Sequence, residues 1–429
     1  MFLKSCIVLT TNQTTVSKFT YSQLLNPLFT HIQNTIKASS QPYNKINKVY
    51  ILGNTSCDLD SFLSSYLLSF PKNFLKSNLN SRSPLYIPLI NCRRHELSHR
   101  FDIDYLCKKY NINISNFAYF PDEQIQQDLL TNNNARVILV DHNKPDMSQL
   151  KLLNNHVIGV YDHHRDENYS FKGDKYLKYP LGSCTTLILK KYYLKNPKLF
   201  KYIDPLLSVS SILMDTENFD ANLFNKKWIK EDKNVFNEII YNNSRYTKEH
   251  IESFYKKLIQ IKYDKRANLN IGVQGILMKD KKSFIWNKHH TNQTVTAGWS
   301  TLPISYEEII TRYGVNTFFD VIMNMCKKYK YDFYVCNYSD IYHNNQNTKN
   351  NMKVKSFIIF NYHMNNIDFE LMIKGIYSLL GMHCYKKQQI EFDRNTGRTF
   401  HRFYVHQSIS RKHFEPIIRE YFNSYKYKH

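Results

Sequence analysis

Three apolar segments of the sequence each end in residues that can bind metal ions. The segments span residues 49–52, 137–140 and 157–161. The acids and imidazoles that follow them are Asp58, Asp60, Asp141, His142, Asp162, His163 and His164. One such pair of acids could equally be a helix cap, and one histidine after a strand commonly packs in the core or faces solvent. Their repeated occurrence favours a metal site.

Carboxylate oxygens combined with imidazole nitrogens suit Mn²⁺, Co²⁺ or Mg²⁺ better than a thiolate zinc site would. Several carboxylates in one place repel each other unless cations lie between them. The simplest arrangement is a pair of metal ions about 3.5–4 Å apart, bridged by one aspartate and a water. An EF-hand does not fit, because the segment 58–60 lacks the third acid, the central glycine and the terminal glutamate of that loop.

Strands and helices alternate around these residues. The pattern predicts strands at 49–52, 85–90, 137–140 and 157–161, and helices near 21–37, 61–70, 97–109, 184–194 and 204–214. This alternation predicts an α/β fold with a doubly wound, mainly parallel sheet. The carboxyl ends of parallel strands meet at one edge, where ligands collect. We therefore expect the three groups of side chains to converge there.

The length of 429 residues exceeds the usual size of one core and predicts two domains. The first spans 1–235 with its core at about 45–220, and the polar stretch 221–246 is expected to bridge the two. The second, smaller α/β domain spans 247–429 and begins with an amphipathic helix at 248–263. Its predicted strands lie near 271–278, 295–299, 332–336 and 356–360, and its helices near 305–312 and 366–380. The polar segment 342–353 predicts a disordered insertion.

The net charge of +22 predicts a polyanionic partner, such as nucleic acid, an acidic membrane surface or a phosphate-rich substrate. The eight cysteines are scattered and form no C-x-x-C pair, which fits reduced thiols and a cytoplasmic protein. No apolar run approaches the ~20 residues that cross a bilayer. The short apolar stretch at residues 1–10 leaves a targeting peptide as the alternative.

The chain resembles the DHH phosphoesterases at four motifs in order: Gly53-Asn-Thr-Ser-Cys-Asp-Leu-Asp-Ser61, Asp141-His142-Asn143, Asp162-His163-His164 and Asp215. Two further segments, 278–284 and Ser410-Arg411-Lys412, resemble motifs of the DHHA2 C-terminal domain. Asn54 stands where manganese-dependent inorganic pyrophosphatases carry a ligand histidine. This asparagine and the segment 91–100 resemble the branch of cytosolic exopolyphosphatases and prune proteins. The resemblance covers roughly residues 45 to 429.

The resemblance implies a role for each matched residue. The implied metal ligands are Asp58, Asp60, Asp141, His163 and Asp215, with Asp141 as the bridge between two ions. Residues that orient these ligands would be Asn54, His142 and Asp162. The implied phosphate contacts are His164, Lys282, Arg411 and Lys412, and, further along the substrate, Arg93, Arg94 and Arg100. Each of these last three arginines could equally be a solvated residue at a helix start.

The function that the resemblance implies is an exopolyphosphatase. A metal-activated water would release the terminal phosphate of inorganic polyphosphate in the cleft between the domains. The cofactors would be two divalent ions, Mg²⁺ or Mn²⁺, with Co²⁺ as a further candidate. Because an amide oxygen is a poorer ligand than imidazole, Asn54 favours more reliance on Mg²⁺.

Several alternatives stay open. One is an inorganic pyrophosphatase or a hydrolase of short, including nucleoside, polyphosphates. A second is a prune-like scaffold with weak phosphoesterase activity. A nuclease of the same superfamily is disfavoured, since the Gly-rich motif of its C-terminal domain is not found. We expect no stable nucleic-acid partner and no membrane partner, and the sequence does not predict the oligomeric state.

Overall fold

The computed structural model describes residues 47–74, 84–132, 134–201, 203–241, 246–288, 293–343, 351–393 and 398–424. The predicted helix near 21–37 lies outside these residues. Two sheets organise the rest, one in each half of the chain. None of the described helices combines the length and the apolar character that crossing a bilayer requires.

The first sheet has six parallel strands in the order β3-β2-β1-β4-β5-β6. Their bounds are β1 (Lys48–Leu52), β2 (Leu85–Ile90), β3 (Ala118–Tyr119), β4 (Arg136–Val140), β5 (Val157–Asp162) and β6 (Asp174–Leu177). All five residues of β1 are buried, as expected for a central strand covered on both faces. The buried amine of Lys48 is compensated by Asp128, 3.0 Å away.

The order of the strands reverses between β1 and β4, which pair directly. The chain runs outward from β1 to β3 and then begins again at β4 on the other side of β1. At such a reversal the connecting loops separate and leave a crevice at the carboxyl ends of the strands. The predicted doubly wound sheet is therefore confirmed, with the acid-bearing turns after β1, β4 and β5 at one edge.

Helices cover both faces of this sheet. They are α1 (Leu59–Phe74), α2 (Phe101–Lys109), α3 (Glu123–Thr131), α4 (Met147–Leu153), α5 (Cys184–Ile188), α6 (Pro205–Ser208), α7 (Ser210–Asp215), α8 (Lys230–Tyr241) and α9 (Lys248–Lys262). A short 3₁₀ helix spans Arg94–His99, and a π-helical turn extends α5 over Leu189–Tyr193. The buried side chains of these elements form one continuous core.

The second sheet is mixed, in the order β11-β12-β10-β9-β8-β7, with only the β8–β9 pair parallel. Its strands are β7 (Lys281–Asn287), β8 (Thr294–Thr301), β9 (Phe333–His343), β10 (Asn351–Asn361), β11 (Cys384–Asp393) and β12 (Arg398–His406). The helices of this half are α10 (Lys265–Asn270), α11 (Gly272–Lys279), α12 (Tyr306–Tyr313), α13 (Val315–Tyr329), α14 (Asn366–Leu380) and α15 (Arg411–Ser424). One core lies on each face of the sheet.

Two element predictions are wrong. The strand predicted near 271–278 is helix α11, whose buried Val273, Ile276 and Leu277 follow helical spacing. The stretch 221–246, expected to be a polar bridge, contains helix α8. This helix is amphipathic: one face is charged, and the other is an apolar stripe that includes the buried residues Val235, Phe236 and Ile239.

Helix α9 was expected to open the second domain, and that is also wrong. Its buried Ile251, Phe254 and Leu258 belong to the core of the first sheet. The chain therefore passes to the second half after residue 262. Strands β9 and β10 extend to 343 and resume at 351, so the predicted insertion at 342–353 is strand at both ends. Residues 344–350 lie outside the described residues.

Candidate active site

The turn after β1 is fixed by hydrogen bonds that Asn54 organises. Its Oδ1 accepts from the Ser56 amide at 2.9 Å and from the Ser56 hydroxyl at 2.6 Å. Cys57 takes a left-handed conformation with φ +50°, and Gly53 lies so close to helix α1 that an added Cβ would be 2.9 Å from the Cβ of Ser61. The turn thus delivers Asp58 and Asp60 to the start of α1.

Asp141 lies at the centre of the site, directly after β4. Its Oδ2 accepts from the Asn54 side-chain amide and from the Ser61 hydroxyl, each at 2.7 Å. Its Oδ1 lies 3.2 Å from Nε2 of His163. The residue has φ +60°, a conformation that aspartate and asparagine tolerate better than most residues. Asp141 therefore joins the ends of β1, β4 and β5.

Asp60 is held by the start of helix α5. Its Oδ1 accepts from the Ser183 hydroxyl at 2.5 Å, and from the amide and hydroxyl of Thr185 at 3.0 and 2.7 Å. Its Oδ2 accepts from the Cys184 amide at 2.6 Å. Sequence reasoning did not assign these three residues a role. The signal that could have found them is a serine directly before a predicted helix, which is typical of a helix N-terminus.

The two histidines after β5 are oriented by different acceptors. Nδ1 of His163 lies 2.8 Å from the Leu181 carbonyl, which can only accept, so Nδ1 is protonated and Nε2 is left to bind a metal. Nδ1 of His164 lies 2.7 Å from Oδ1 of Asp162. The other oxygen of Asp162 accepts from the Asn143 side chain at 2.6 Å, a contact for which the sequence gave no signal beyond the motif itself.

The charges of this cluster fit divalent metal ions. Asp141, Asp162, His163 and His164 each offer a ligand atom, and these atoms lie within 4.8 Å of one another. Burial, together with the charges of the nearby Asp58 and Asp60, raises the pKa of Asp141 to about 7. Metal cations would compensate these crowded carboxylates, so the donor set suits hard divalent ions.

Asp215 supplies a separate indication that the site suits a cation. Its Oδ2 is buried and has no hydrogen-bond partner among the described residues. Burial raises the pKa of this carboxyl well above its usual range, and the charges of Asp60 and Asp58 add to the effect. A buried carboxylate without a partner is costly, and a bound cation would remove that cost.

Known proteins are similar to this chain over the residues that form the site. Residues 48–216 match the DHH family, N-terminal domain. This part of the chain is similar to that family's domain and is called the DHH domain below. The "Putative exopolyphosphatase" of Schizosaccharomyces pombe is 28% identical over 219 residues, which cover 48% of this chain and 54% of that protein.

Other relatives carry related names. "Exopolyphosphatase PRUNE1" of Mus musculus is 24% identical over 385 residues, covering 87% of this chain and 75% of that protein. The "Probable manganese-dependent inorganic pyrophosphatase" of Bacillus licheniformis is 26% identical over 190 residues, covering 44% and 55%. The matches span about half or less of the length of the S. pombe protein and of human PRUNE1.

A solved structure shares the fold. The crystal structure described as a "Methanococcus jannaschii putative family II inorganic pyrophosphatase" has a TM-score of 0.55 and 16% identity, and the match covers 87% of this chain and 99% of that one. The fold of most of this chain is thus found in a solved protein.

The second domain brings cations to the acids of the DHH domain. Nζ of Lys412 lies 3.5 Å from Nε2 of His163. Burial raises the pKa of Asp58, but the charge of Lys282, the Ser61 amide and the charge of Lys262 outweigh it and lower the pKa to about 2. Arg411 does not contact these acids directly, since it donates to the Asp280 carboxylate at 2.9 Å and to its carbonyl at 3.2 Å. That pair ties α15 to the start of β7, which carries Lys282.

Lys262 is a cation that sequence reasoning missed. It is in the last turn of α9, 3.5 Å from Asp102, and its charge acts on Asp58. No motif marks it, because it reads as an ordinary charged residue of an amphipathic helix. Only the packing of α9 against the DHH domain brings it to the acids.

Three predicted site residues have contacts of another kind. Arg100 is buried and donates to the Ser56 carbonyl at 2.7 and 3.0 Å, so it supports the turn before Asp58. Arg94 pairs with Asp122 at 2.9 Å and lies over the ring of Tyr119. Nδ1 of His142 lies 2.9 Å from the Val140 carbonyl, whereas its Nε2 is buried without a partner among the described residues. Contacts of Arg100 and Arg94 with phosphate, and orientation of a ligand by His142, stay predictions, as does the phosphate contact of the exposed Arg93.

Proposed function

We propose that the protein is an exopolyphosphatase that hydrolyses the terminal phosphoanhydride bond of inorganic polyphosphate. The observation that carries this proposal is the meeting of two opposite charge sets. Buried acids of the DHH domain face Lys412 and Lys282 of the second domain. Acids that can hold cations, facing separate lysines, are suited to a substrate that carries negative charge on every unit.

Two divalent ions, Mg²⁺ or Mn²⁺ with Co²⁺ as a third candidate, would occupy the acid cluster. The proposed ligands are Asp58, Asp60, Asp141, His163 and Asp215, with Asp141 shared between the ions. When bound, such ions lower the pKa of a water and neutralise phosphoryl charge. The names of the manganese-dependent relatives support metal dependence.

The side chains around the ions have defined tasks in this proposal. Asn54 and Ser61 donate to one oxygen of Asp141, which fixes the rotamer and leaves the other oxygen toward His163. Lys282, Lys412 and His164 bind oxygens of the reacting phosphate and hold it against the acids. The contact of Arg411 with Asp280 joins α15, which carries Lys412, to β7, which carries Lys282. Arg411 would also bind a phosphate oxygen itself. Preorganised charges of this kind supply much of the catalysis of phosphoryl transfer.

The test is phosphate release from pyrophosphate, tripolyphosphate and long-chain polyphosphate, each with Mg²⁺, Mn²⁺ and Co²⁺ in turn. We expect release from the long chain with at least one of these metals, and none after chelation. Absence of release from every substrate would refute the proposal and favour the scaffold alternative. Release from pyrophosphate alone would favour a pyrophosphatase, the second candidate, which the names of the bacterial relatives support.

The cytoplasmic location, and the absence of a nucleic-acid or membrane partner, stay predictions from the sequence. Imaging the full chain with a C-terminal fluorescent tag checks the location, and gel-shift and vesicle-binding assays check the two partners.

A further inference from the structure

The exposure of the side chains increases along the chain from Asp162 to Arg165. Asp162 and His163 are buried, with 0% and 4% of their surface exposed. His164, the proposed phosphate contact, is half-buried, and Arg165 beside it is exposed. Arg165 therefore lies at the rim of the acid site, where a substrate that extends beyond the acids would pass into solvent.

The backbone of Arg165 is held by the acid site itself. The side-chain amide of Asn143 donates both to Asp162 at 2.6 Å and to the Arg165 carbonyl at 2.9 Å. Oδ1 of the same asparagine accepts from the Glu167 amide at 2.8 Å. Asn143 is fully buried, so these contacts fix the loop 165–167 relative to the acids.

The ring of Tyr179 supports the side chain of Arg165. The guanidinium carbon lies 5.2 Å from the centre of that ring. Tyr179 is two residues before Leu181, whose carbonyl accepts from Nδ1 of His163 at 2.8 Å. The arginine and the ring under it are therefore each connected to the acid site, the arginine through the chain and the ring through Leu181.

Arg165 has no acidic partner within ion-pair distance among the residues that the structure describes. The next residue, Asp166, pairs instead with Lys175 through both carboxylate oxygens, at 2.6 and 2.7 Å. The N–H donors of a guanidinium lie in its plane, so a ring over its face leaves them available. Donors arranged in this way match the oxygens of a phosphate in geometry and charge.

We propose that Arg165 binds the third phosphate of the substrate, counted from the phosphate that is attacked, and that Tyr179 positions its guanidinium. The first two phosphates then occupy the acid site, between His164 and the lysines of the second domain. Pyrophosphate has no third phosphate, so only tripolyphosphate and longer chains make this contact. Arg165 is thus the residue that selects these chains over pyrophosphate, which deepens the proposed function on which this inference rests.

The test is the variant Arg165→Gln, with KM and kcat measured on pyrophosphate and on tripolyphosphate. We expect KM for tripolyphosphate to rise roughly tenfold, because a charged hydrogen bond to phosphate is lost. KM for pyrophosphate should change by less than about twofold, since that substrate ends before it reaches Arg165. A change for pyrophosphate at least as large as that for tripolyphosphate, or no change for either, would overturn the proposal.

Tyr179 is tested as a positioning residue. Tyr179→Leu removes the ring and leaves the charge of Arg165, so KM for tripolyphosphate should rise by less than it does in Arg165→Gln. Tyr179→Phe keeps the ring and should restore the wild-type KM. If Tyr179→Phe bound tripolyphosphate as weakly as Tyr179→Leu, the ring would not be what positions the arginine.

The matched control is Arg312→Gln on α12, which removes the same charge from an exposed position in the other half of the chain. KM for both substrates should stay at the wild-type value. A rise for tripolyphosphate equal to that of Arg165→Gln would show that only the net charge matters, and the proposed contact would then be wrong.

A binding experiment separates this contact from the chemistry. If no polyphosphate is hydrolysed with any of the three metals, the proposed function fails, and isothermal titration of tripolyphosphate and pyrophosphate with Mg²⁺ present then tests the contact alone. Arg165→Gln should weaken the binding of tripolyphosphate roughly tenfold and leave that of pyrophosphate unchanged. Equal affinities of the wild type and Arg165→Gln for tripolyphosphate would overturn the contact.

Discussion

Asp141 connects three loops through one carboxylate. Donors from the turn after β1 hold one of its oxygens, and His163 from the turn after β5 lies beside the other. Its left-handed backbone conformation allows this position directly at the end of β4. A single side chain thus links the three loops that form the centre.

Asp141→Asn should lower kcat for phosphate release by about 10²–10³-fold or more, since it removes a charge aimed at the reacting centre. Asparagine tolerates the same backbone conformation, so the fold should remain intact. Steady-state kinetics measure the loss, and thermal unfolding checks the fold. Turnover equal to that of the wild type would show that Asp141 is not part of the catalytic centre.

Arg411→Ala should raise KM for polyphosphate by about tenfold, since a charged hydrogen bond to phosphate is worth roughly 1.5–3 kcal/mol. Metal affinity, measured by isothermal titration, should stay unchanged because Arg411 contacts Asp280 and none of the proposed ligands. The matched control is Arg419→Ala on the same helix, where the arginine pairs with Glu415. A loss of metal affinity in Arg411→Ala would contradict this division of tasks.

At this scale the sequence predicts acids and histidines but not their hydrogen-bond partners. Asp58 and Asp60 could be predicted as candidate metal ligands from their position after an apolar strand. The donors Ser183 and Thr185 are more than a hundred residues away in the chain and match no motif. The contacts of Arg100 with the Ser56 carbonyl could not be foreseen either, because an arginine near a phosphate site and one that supports a turn have the same sequence context.

Helix α5 acts as a whole element, because its N-terminus points its amides and hydroxyls at the carboxylate of Asp60. The first turn of a helix carries partial positive charge, which suits a carboxylate at this position. The element therefore holds the side chain of Asp60 in place.

Thr185→Val should weaken metal binding by about 10-fold or more, as is typical when a hydrogen bond to a ligand is lost. The change removes the hydroxyl 2.7 Å from Asp60 and keeps the shape of the side chain. Thr186→Val is the control, because that hydroxyl bonds Asp232 instead. Titrating the metal dependence of phosphate release compares the two, and equal effects would show that only helix stability had changed.

The elements of the first sheet were predictable because long apolar runs alternate with helical spacing. Helix α11 was not predictable, because the segment from Ile271 to Met278 is apolar enough to be interpreted as a strand. Its helical form depends on the packing of Val273 and Ile276 against the second sheet. Strands β11 and β12 carry many polar residues. The pairing of β12 with β10 and of β11 with β12, rather than an apolar pattern, makes them strands.

The two halves of the molecule meet at a junction that buries an amine. Lys279 at the end of α11 lies over the ring of Phe101 in the DHH domain, and its Nζ donates to Asn268 at 2.7 Å. Burial lowers the pKa of Lys279 to about 7, although the nearby Asp102 opposes the effect. The protein therefore folds with a lysine that is partly neutral near neutral pH.

Lys279→Met should change how stability depends on pH. Between pH 7 and the ordinary lysine pKa, the unfolded chain keeps the proton that the folded chain has lost, so the stability of the wild type rises with pH by up to about 1.4 kcal/mol per pH unit from this residue. Below that range both states are protonated and this contribution is constant. In urea unfolding at about pH 6, the free energy of unfolding of Lys279→Met should exceed that of the wild type. At about pH 9 the difference between the two free energies should be smaller. A difference that does not vary with pH would contradict the lowered pKa.

The connectivity of the two sheets bears on how a nascent chain acquires its structure. In the first sheet, β1 pairs with β4, so Tyr50 must find Val137 across a long crossover. In the second, β9 pairs antiparallel with β10, and β11 with β12, and in each pair the two strands are neighbours in the sequence. Local pairing is fast, whereas distant parallel pairing is slow. The half that leaves the ribosome first is thus the half that we expect to finish last, and during that interval its apolar strands depend on protection from aggregation.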